Sequence, residues 1–174
     1  MAERKNNLRT IAIFSDSHDQ IPNLKKALGF CQEQGIDTII HCGDLEKAET
    51  LIEAWPSHFD ATVHLCWGNA DKIDEIIQKQ KIFPLLKIYG QIGSIFLENK
   101  NIAFTHRIEK AKKIAETQKY DYVFYGHNHK PWTEKIGKTH LINPGDLSGF
   151  IYQPSFAILD LEKNKFSLKI LNRM

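Results

Sequence analysis

The chain has 174 residues, 42% of them hydrophobic and 25% charged. That balance excludes a disordered chain, a collagen-like repeat and a coiled-coil rod, and the length predicts a single domain over residues 1–174 with a full core. Lysine and arginine (23) nearly match aspartate and glutamate (21), so the net charge of +2 gives no electrostatic case for nucleic acid or a membrane as the main partner.

In chain order, the polar and charged opening Met1–Arg9 does not read as a signal peptide, and no later apolar run approaches the roughly 20 residues of a membrane helix. Thr10–Ser15 is a short apolar run and reads as a buried strand. Pro22 suits the first turn of a helix, Leu24, Leu28 and Cys31 give it an apolar stripe, and Gly35 closes it. Thr38–Cys42 is the next strand and ends at Gly43-Asp44. A short helix over Lys47–Trp55 is stopped by Pro56. Ala61–Trp67 is a third strand, ending at Gly68-Asn69, and Asp71–Lys81 reads as a polar helix.

Leu85–Tyr89, Ser94–Leu97 and Ile102–Thr105 lie close together across short turns, which predicts hairpins. Glu109–Gln118 reads as a helix with Lys110, Lys112 and Lys113 on a solvated face, and Tyr122–Tyr125 as a strand running into Gly126. Thr133–Ile136, Thr139–Ile142, Ser155–Leu161 and Phe166–Leu171 read as strand pairs, with Asn164 in the last turn. The front is therefore a parallel strand-helix alternation and the back mostly antiparallel. An α/β fold of two mixed sheets packed together, with helices outside, satisfies both halves.

Five polar clusters each follow an apolar strand. They are Asp16-Ser17-His18, Gly43-Asp44, Gly68-Asn69-Ala70-Asp71, Thr105-His106-Arg107 and Gly126-His127-Asn128-His129. Ligands of open α/β sheets bind beyond the carboxyl ends of the strands, so clusters far apart in sequence can converge there. Aspartate, histidine and asparagine suit divalent first-row metals. Asp16 and His18 lie two apart in an extended segment and leave it on the same side, as do His127 and His129. Asp44 could bridge two metals, and two ions roughly 3.5–4 Å apart form the usual clamp for in-line attack on phosphorus. Each cluster alone is a weak signal, and their conjunction and order carry the argument.

The order of the clusters resembles the calcineurin-like metallophosphoesterase superfamily, whose signature runs Asp-x-His, Gly-Asp, Gly-Asn-His-Asp/Glu, a lone His, and Gly-His-x-His. The short length and the Asn143-Pro144-Gly145 turn resemble its small bacterial and archaeal phosphodiesterase branch. The resemblance implies a four-layer αββα sandwich with a dinuclear metal centre. It implies one metal held by Asp16, His18, Asp44 and His129, and a second held by Asp44, Asn69, His106 and His127. Three positions depart from the pattern. Ala70 stands where many members have a catalytic His and the small branch often has Cys, which silences a customary general acid. Arg107 stands where the branch often has Gly and changes the substrate mouth. Asp146 replaces a frequent Ser and is either neutral or unfavourable to a nearby anion.

Other conspicuous residues read as structural. His41 and His64 lie inside strands, His58 in a solvated loop, and His140 in a late strand without a ligand partner. Cys31, Cys42 and Cys66 form no disulfide framework or zinc ribbon, and Cys42 and Cys66 read as buried inert thiols. A reducing cytoplasm is the expected location. Trp55, Trp67 and Trp132 read as packing residues, and Asp19 as a helix N-cap.

The expectation is a divalent-metal-dependent phosphoesterase, first of all a phosphodiesterase acting on a small-molecule phosphodiester. A bridging hydroxide would attack phosphorus in line, with Asp44, Asn69 and Arg107 as catalytic residues. Mixed Asp/His/Asn ligation suits Mn²⁺, Fe, Ni²⁺ or Zn²⁺ better than Mg²⁺, and manganese is the first choice. One rival is an interaction module resembling the small retromer subunit. It predicts missing ligands, and none is missing. The other rival, a nuclease, needs a basic track or an added binding domain, and the sequence shows neither. A homo-oligomer is left open.

Overall fold

A computed structural model describes residues 10–174, so the opening Met1–Arg9 lies outside the described residues. Strand β1 (Thr10–Phe14) is apolar at nearly every position and buried on both faces. It is followed by α1 (Ile21–Glu33), β2 (Thr38–His41), α2 (Ala48–Ala54), β3 (Thr62–Leu65), α3 (Ile73–Gln80) and β4 (Leu86–Ile88). Each helix returns the chain so that β1, β2, β3 and β4 pair in parallel. Helix α1 ends as Gly35 predicts. Gly35 takes φ 66°, its N–H bonds the carbonyl of Gln32, and the N–H of buried Ile36 bonds that of Cys31.

The second sheet holds β5 (Ile92–Leu97), β6 (Lys100–Thr105), β7 (Tyr122–Phe124), β8 (Trp132–Ile136) and β9 (Thr139–Asn143), in the order β5-β6-β7-β9-β8. Helix α4 (Ile108–Glu116) carries the chain from β6 to β7. The last two strands, β10 (Ser155–Asp160) and β11 (Lys165–Ile170), return to the first sheet, whose order is β11-β10-β1-β2-β3-β4.

The layers follow from which side chains each face buries. Ala12, Phe14, Ile39, Val63 and Leu65 turn one face of the first sheet towards Leu24 and Leu28 of α1, Leu51 of α2 and Ile76 of α3. Ile11, Ile13, Ile40, Cys42 and Cys66 turn the other way and meet Ile102, Phe104, Phe124 and Ile142 of the second sheet. Behind that sheet, Ala103, Val123 and Leu141 pack against Ala111 and Ala115 of α4. The result is the four-layer αββα sandwich, with the site beyond the carboxyl ends of β1 and β2 in one sheet and β6 and β7 in the other. Among the described residues no helix is long and apolar enough to cross a membrane.

Two expectations about the back half are corrected. Leu85–Tyr89 does not form a hairpin with the strand after it; β4 is the parallel edge of the first sheet, with Leu86 buried in the same core cluster as Ile76 of α3. The short turn at Gly90 steps the chain from one sheet to the other. The second sheet is also less antiparallel than expected, because β6, β7 and β9 run parallel and only the outer pairs are hairpins.

Candidate metal centre

The loops that leave β1, β2, β6 and β7 are sewn to one another by main-chain hydrogen bonds. Asp16 N–H bonds Gly43 O at 3.0 Å, His18 N–H bonds Asp44 O at 3.0 Å, and Gly126 N–H bonds His106 O at 3.0 Å. The ladder thus continues past the strands and carries polar residues instead of apolar ones. Asp16, His18, Asp44, His127 and His129 all take positive φ, between 43° and 71°, so Asp16–His18 and His127–His129 do not run extended as expected, and tight turns rather than strand alternation bring each pair to one side. Space is equally constrained. A β-carbon at Gly43 would lie 2.6 Å from the Gly68 nitrogen and 2.9 Å from His106 Nδ1, so that turn admits only glycine.

Two triads result, each with one buried carboxylate. Asp16, His18 and His129 bring three donor atoms together, as do Asp44, His106 and His127. His129 Nε2 lies 3.5 Å from Asp16 Oδ1, and His18 Nε2 lies 3.9 Å from it. On the other flank, His106 Nε2 is 3.2 Å from Asp44 Oδ2 and 3.2 Å from His127 Nδ1. Asp44 Oδ2 is also 3.8 Å from His18 Nε2, so one carboxylate faces both triads. The donor set fits divalent first-row cations, and the buried Nε2 of His18 makes no hydrogen bond among the described residues.

Burial and partners set the charges. Burial pushes the Asp16 carboxyl up, outweighing the Ser15 hydroxyl and the nearby histidines that favour its ionised form. Burial pushes Asp44 up as well, but the hydrogen bond and charge of His106, with the Ala70 N–H, hold it down at about 2. Burial lowers His106, yet Asp44 beside it leaves the ring above its ordinary value. His127 is held below the usual histidine range by burial and by His106 and Arg107.

The outer partners of the imidazoles differ between flanks. Glu46 Oε1 sits 2.8 Å from His18 Nδ1, and Asp146 Oδ2 sits 2.9 Å from His129 Nδ1. Both rings therefore present Nε2 inward. Asp146 is fully buried and also accepts from Ser148 Oγ and the N–H groups of Gly149 and Ile151. It fixes both His129 and the loop whose Phe150 stacks on His18. His106 Nδ1 instead faces the Cys42 carbonyl at 2.8 Å, and His127 Nε2 lies 3.4 Å from Arg107 Nη1. Sequence reasoning missed Glu46 and noticed Asp146 only as a departure. Asking which acceptor fixes each ligand histidine would have prompted the search.

Asn69 is exposed and lines a cleft of about 250 Å³ beside His106, together with Trp67, Gln91, Thr105, Arg107 and Lys110. Two readings change here. Trp67 is a cleft wall rather than a packing residue, and Lys110 is half-buried with its Nζ bonded to Gln91 Oε1, whereas Lys112 and Lys113 are solvated as expected. Asp19 does not cap α1. Its carboxylate accepts from the N–H and Nζ of Lys47 and from Thr50 Oγ1, and so secures the start of α2. His41 is buried beneath the site against Ser17, and burial lowers it to about 3. His64 bonds Tyr89, His58 is exposed and His140 stacks on Tyr122, all away from the triads. Trp55 packs between Phe59 and Phe83 as expected, Trp132 is exposed under Lys130 rather than packed in a core, and the three cysteines are free and buried.

Comparison with known proteins agrees with this geometry. A family model for the calcineurin-like phosphoesterase superfamily domain matches residues 10–164. Phosphodiesterase MJ0936 of Methanocaldococcus jannaschii is 28% identical over 165 residues, covering 90% of this chain and 95% of its own. A solved archaeal phosphodiesterase superposes with a TM-score of 0.82 at 27% identity, over 92% of this chain and 99% of its own. Vps29 of Entamoeba histolytica, solved as a zinc complex, shares the fold with a TM-score of 0.61 at 18% identity, over 92% of this chain and 96% of its own.

Proposed function

Because the chain belongs to the calcineurin-like phosphoesterase superfamily, we propose that it is a divalent-metal-dependent phosphodiesterase with a dinuclear centre acting on a small-molecule diester. The observation that carries this reading is the position of Asp44 Oδ2, 3.2 Å from an imidazole of one triad and 3.8 Å from an imidazole of the other. One carboxylate so placed serves two ions. In this scheme Asp16, His18, Asp44 and His129 hold one, and Asp44, Asn69, His106 and His127 hold the second. The mixed oxygen and nitrogen donors accept Mn²⁺, Fe, Ni²⁺ or Zn²⁺, and manganese is the first candidate to test. Three buried free cysteines support a reducing compartment.

Two divalent ions so held would supply an activated water and withdraw electrons from the phosphoryl oxygens. The chain's residues do the rest. Arg107, exposed at the mouth beside His127, offers a permanent cation to charge developing on the phosphoryl oxygens. Glu46 and Asp146 hold the rings of His18 and His129 in one orientation. Neither residue at the customary general-acid position is placed to protonate the leaving alcohol. Ala70 ends in a methyl group, and both Asp71 oxygens accept main-chain N–H groups of Gly68, Glu46 and Asp44. Diesters with stable aryl leaving groups are therefore favoured.

Metal binding and turnover are separate properties, so both are measured. The test loads the protein with Mn²⁺, counts bound ions, and assays aryl phosphodiesters of graded leaving-group pKa. Two ions per chain and a steep dependence on leaving group are expected. Two bound ions without turnover would favour an interaction module. A shallow dependence would mean that another residue donates the proton.

A further inference from the structure

The cleft beside His106 is cationic and contains no carboxylate among its lining residues. Its walls are Trp67, Gln91, Thr105, Arg107 and Lys110, with Asn69 and His106 at its inner end. Gln91 Oε1 accepts from Lys110 Nζ and so holds the ammonium over the cleft, while an ammonium has three protons and keeps two to give. Arg107 stands between the cleft and His127. The Nε1 of Trp67 is buried and has no hydrogen-bond partner among the described residues. An indole N–H is a donor only, and a buried donor left unpaired is costly, so a small ring movement that brings this N–H to an acceptor in the cleft is favoured.

The opposite flank has the contrary character. Glu46 and Asp146 lie behind His18 and His129, and exposed Phe150, Ile151 and Tyr152 follow, with Phe150 stacked on His18. A second negative charge there would meet two carboxylates and an apolar surface.

We propose that the physiological substrates are unsymmetrical phosphodiesters in which one esterified alcohol carries a second anionic group, a phosphate or carboxylate, bound in the cleft by Lys110, Arg107 and Trp67. The uncharged arm lies over Phe150. This rests on the phosphodiesterase reading above and adds the substrate class to it. It also gives Arg107, Lys110 and Trp67 a common role that none of the ligand positions supplies.

The test compares two nitrophenyl phosphodiesters that differ only in the second arm, 3-phosphopropyl or 3-hydroxypropyl, with the Mn²⁺-loaded protein. Charge-assisted hydrogen bonds predict that kcat/KM favours the phosphorylated arm about tenfold or more, chiefly through KM. The ratio of the two values should fall towards one in Lys110→Met and below one in Lys110→Glu, and partly in Trp67→Phe, with melting curves to check that each variant folds. Equal kcat/KM for the two esters in the parent, with both turned over, overturns the proposal alone. A preference that survives both Lys110 substitutions overturns the cleft as its source. No turnover of either ester by protein carrying two ions overturns the phosphodiesterase reading and this proposal with it.

Discussion

The two flanks of the site have the same inner donors and different surroundings. Each offers one buried carboxylate and two imidazoles. On the Asp16 flank both histidines lean on carboxylates, Glu46 and Asp146. On the Asp44 flank one histidine leans on the Cys42 carbonyl and the other stands beside the Arg107 guanidinium. A carboxylate behind a ligating imidazole fixes its tautomer and raises its basicity, while a nearby guanidinium does the opposite. The difference predicts an anchoring flank that keeps its cation and a working flank, open to the cleft, that holds its cation more loosely. Inner donor sets alone do not foretell this.

The most severe test removes the residue the flanks share. Asp44→Ala should release cation from both and lower turnover about a thousandfold or more, since the proposed two-ion clamp would lose both jaws. Metal analysis after dialysis checks this, and two tightly retained ions would remove Asp44 as the bridge. Asn69→Ala, by contrast, should spare the Asp16 flank.

A smaller effect sharpens the contrast. Glu46→Gln and Asp146→Asn should each weaken Mn²⁺ binding about 10–100-fold on the anchoring flank and leave the other unchanged. Calorimetric titration resolves the two binding events. Equal weakening of both would mean that the outer carboxylates do not distinguish the flanks.

The smallest effect concerns the chelator-treated protein. Asp44, held at about 2 against an ordinary 3.8, contributes stability above pH 3.8 that is lost as pH falls towards 2. Asp16 is shifted the other way by burial, so its ionised form weakens the metal-free fold at neutral pH, and the penalty is relieved as pH falls through its raised value. With EDTA at pH 7, Asp44→Asn should therefore cost about 2 kcal/mol while Asp16→Asn raises the melting temperature. Melting curves from pH 7 to pH 3 check both signs, and a destabilised Asp16→Asn would contradict the contrast.

Much of this arrangement was legible in the chain. An apolar run followed by Asp-x-His or Gly-Asp marks a strand and the ligand-bearing turn beyond it, so the inner donors could be located one by one. Their outer partners could not. Glu46 reaches His18 because the loop after β2 lies along the loop after β1, through bonds such as Asp19 N–H to Leu45 O, and no local pattern records that pairing. Asp146 meets a ring 17 residues earlier for the same reason. Asp19 was misread because its own carbonyl accepts from Ile21, leaving the side chain to turn towards α2. β4 was misread because short apolar runs across short turns describe a step between sheets as well as a hairpin.

The positive φ of Asp16, His18, Asp44, His127 and His129 has a consequence for the protein's lifetime. A side chain in that region crowds its own carbonyl, at roughly 1 kcal/mol or more per residue. The metal-free chain holds these five at the site, among twelve positive-φ non-glycine residues of the described chain, against a net stability of only about 5–15 kcal/mol for an ordinary domain. Cations that bind the folded turns more tightly than the unfolded chain would by mass action hold the population folded. Starvation for the metal would then lower the amount of this protein as well as its turnover, because proteases act on the opened form. Its abundance would follow the cell's supply of free divalent cation.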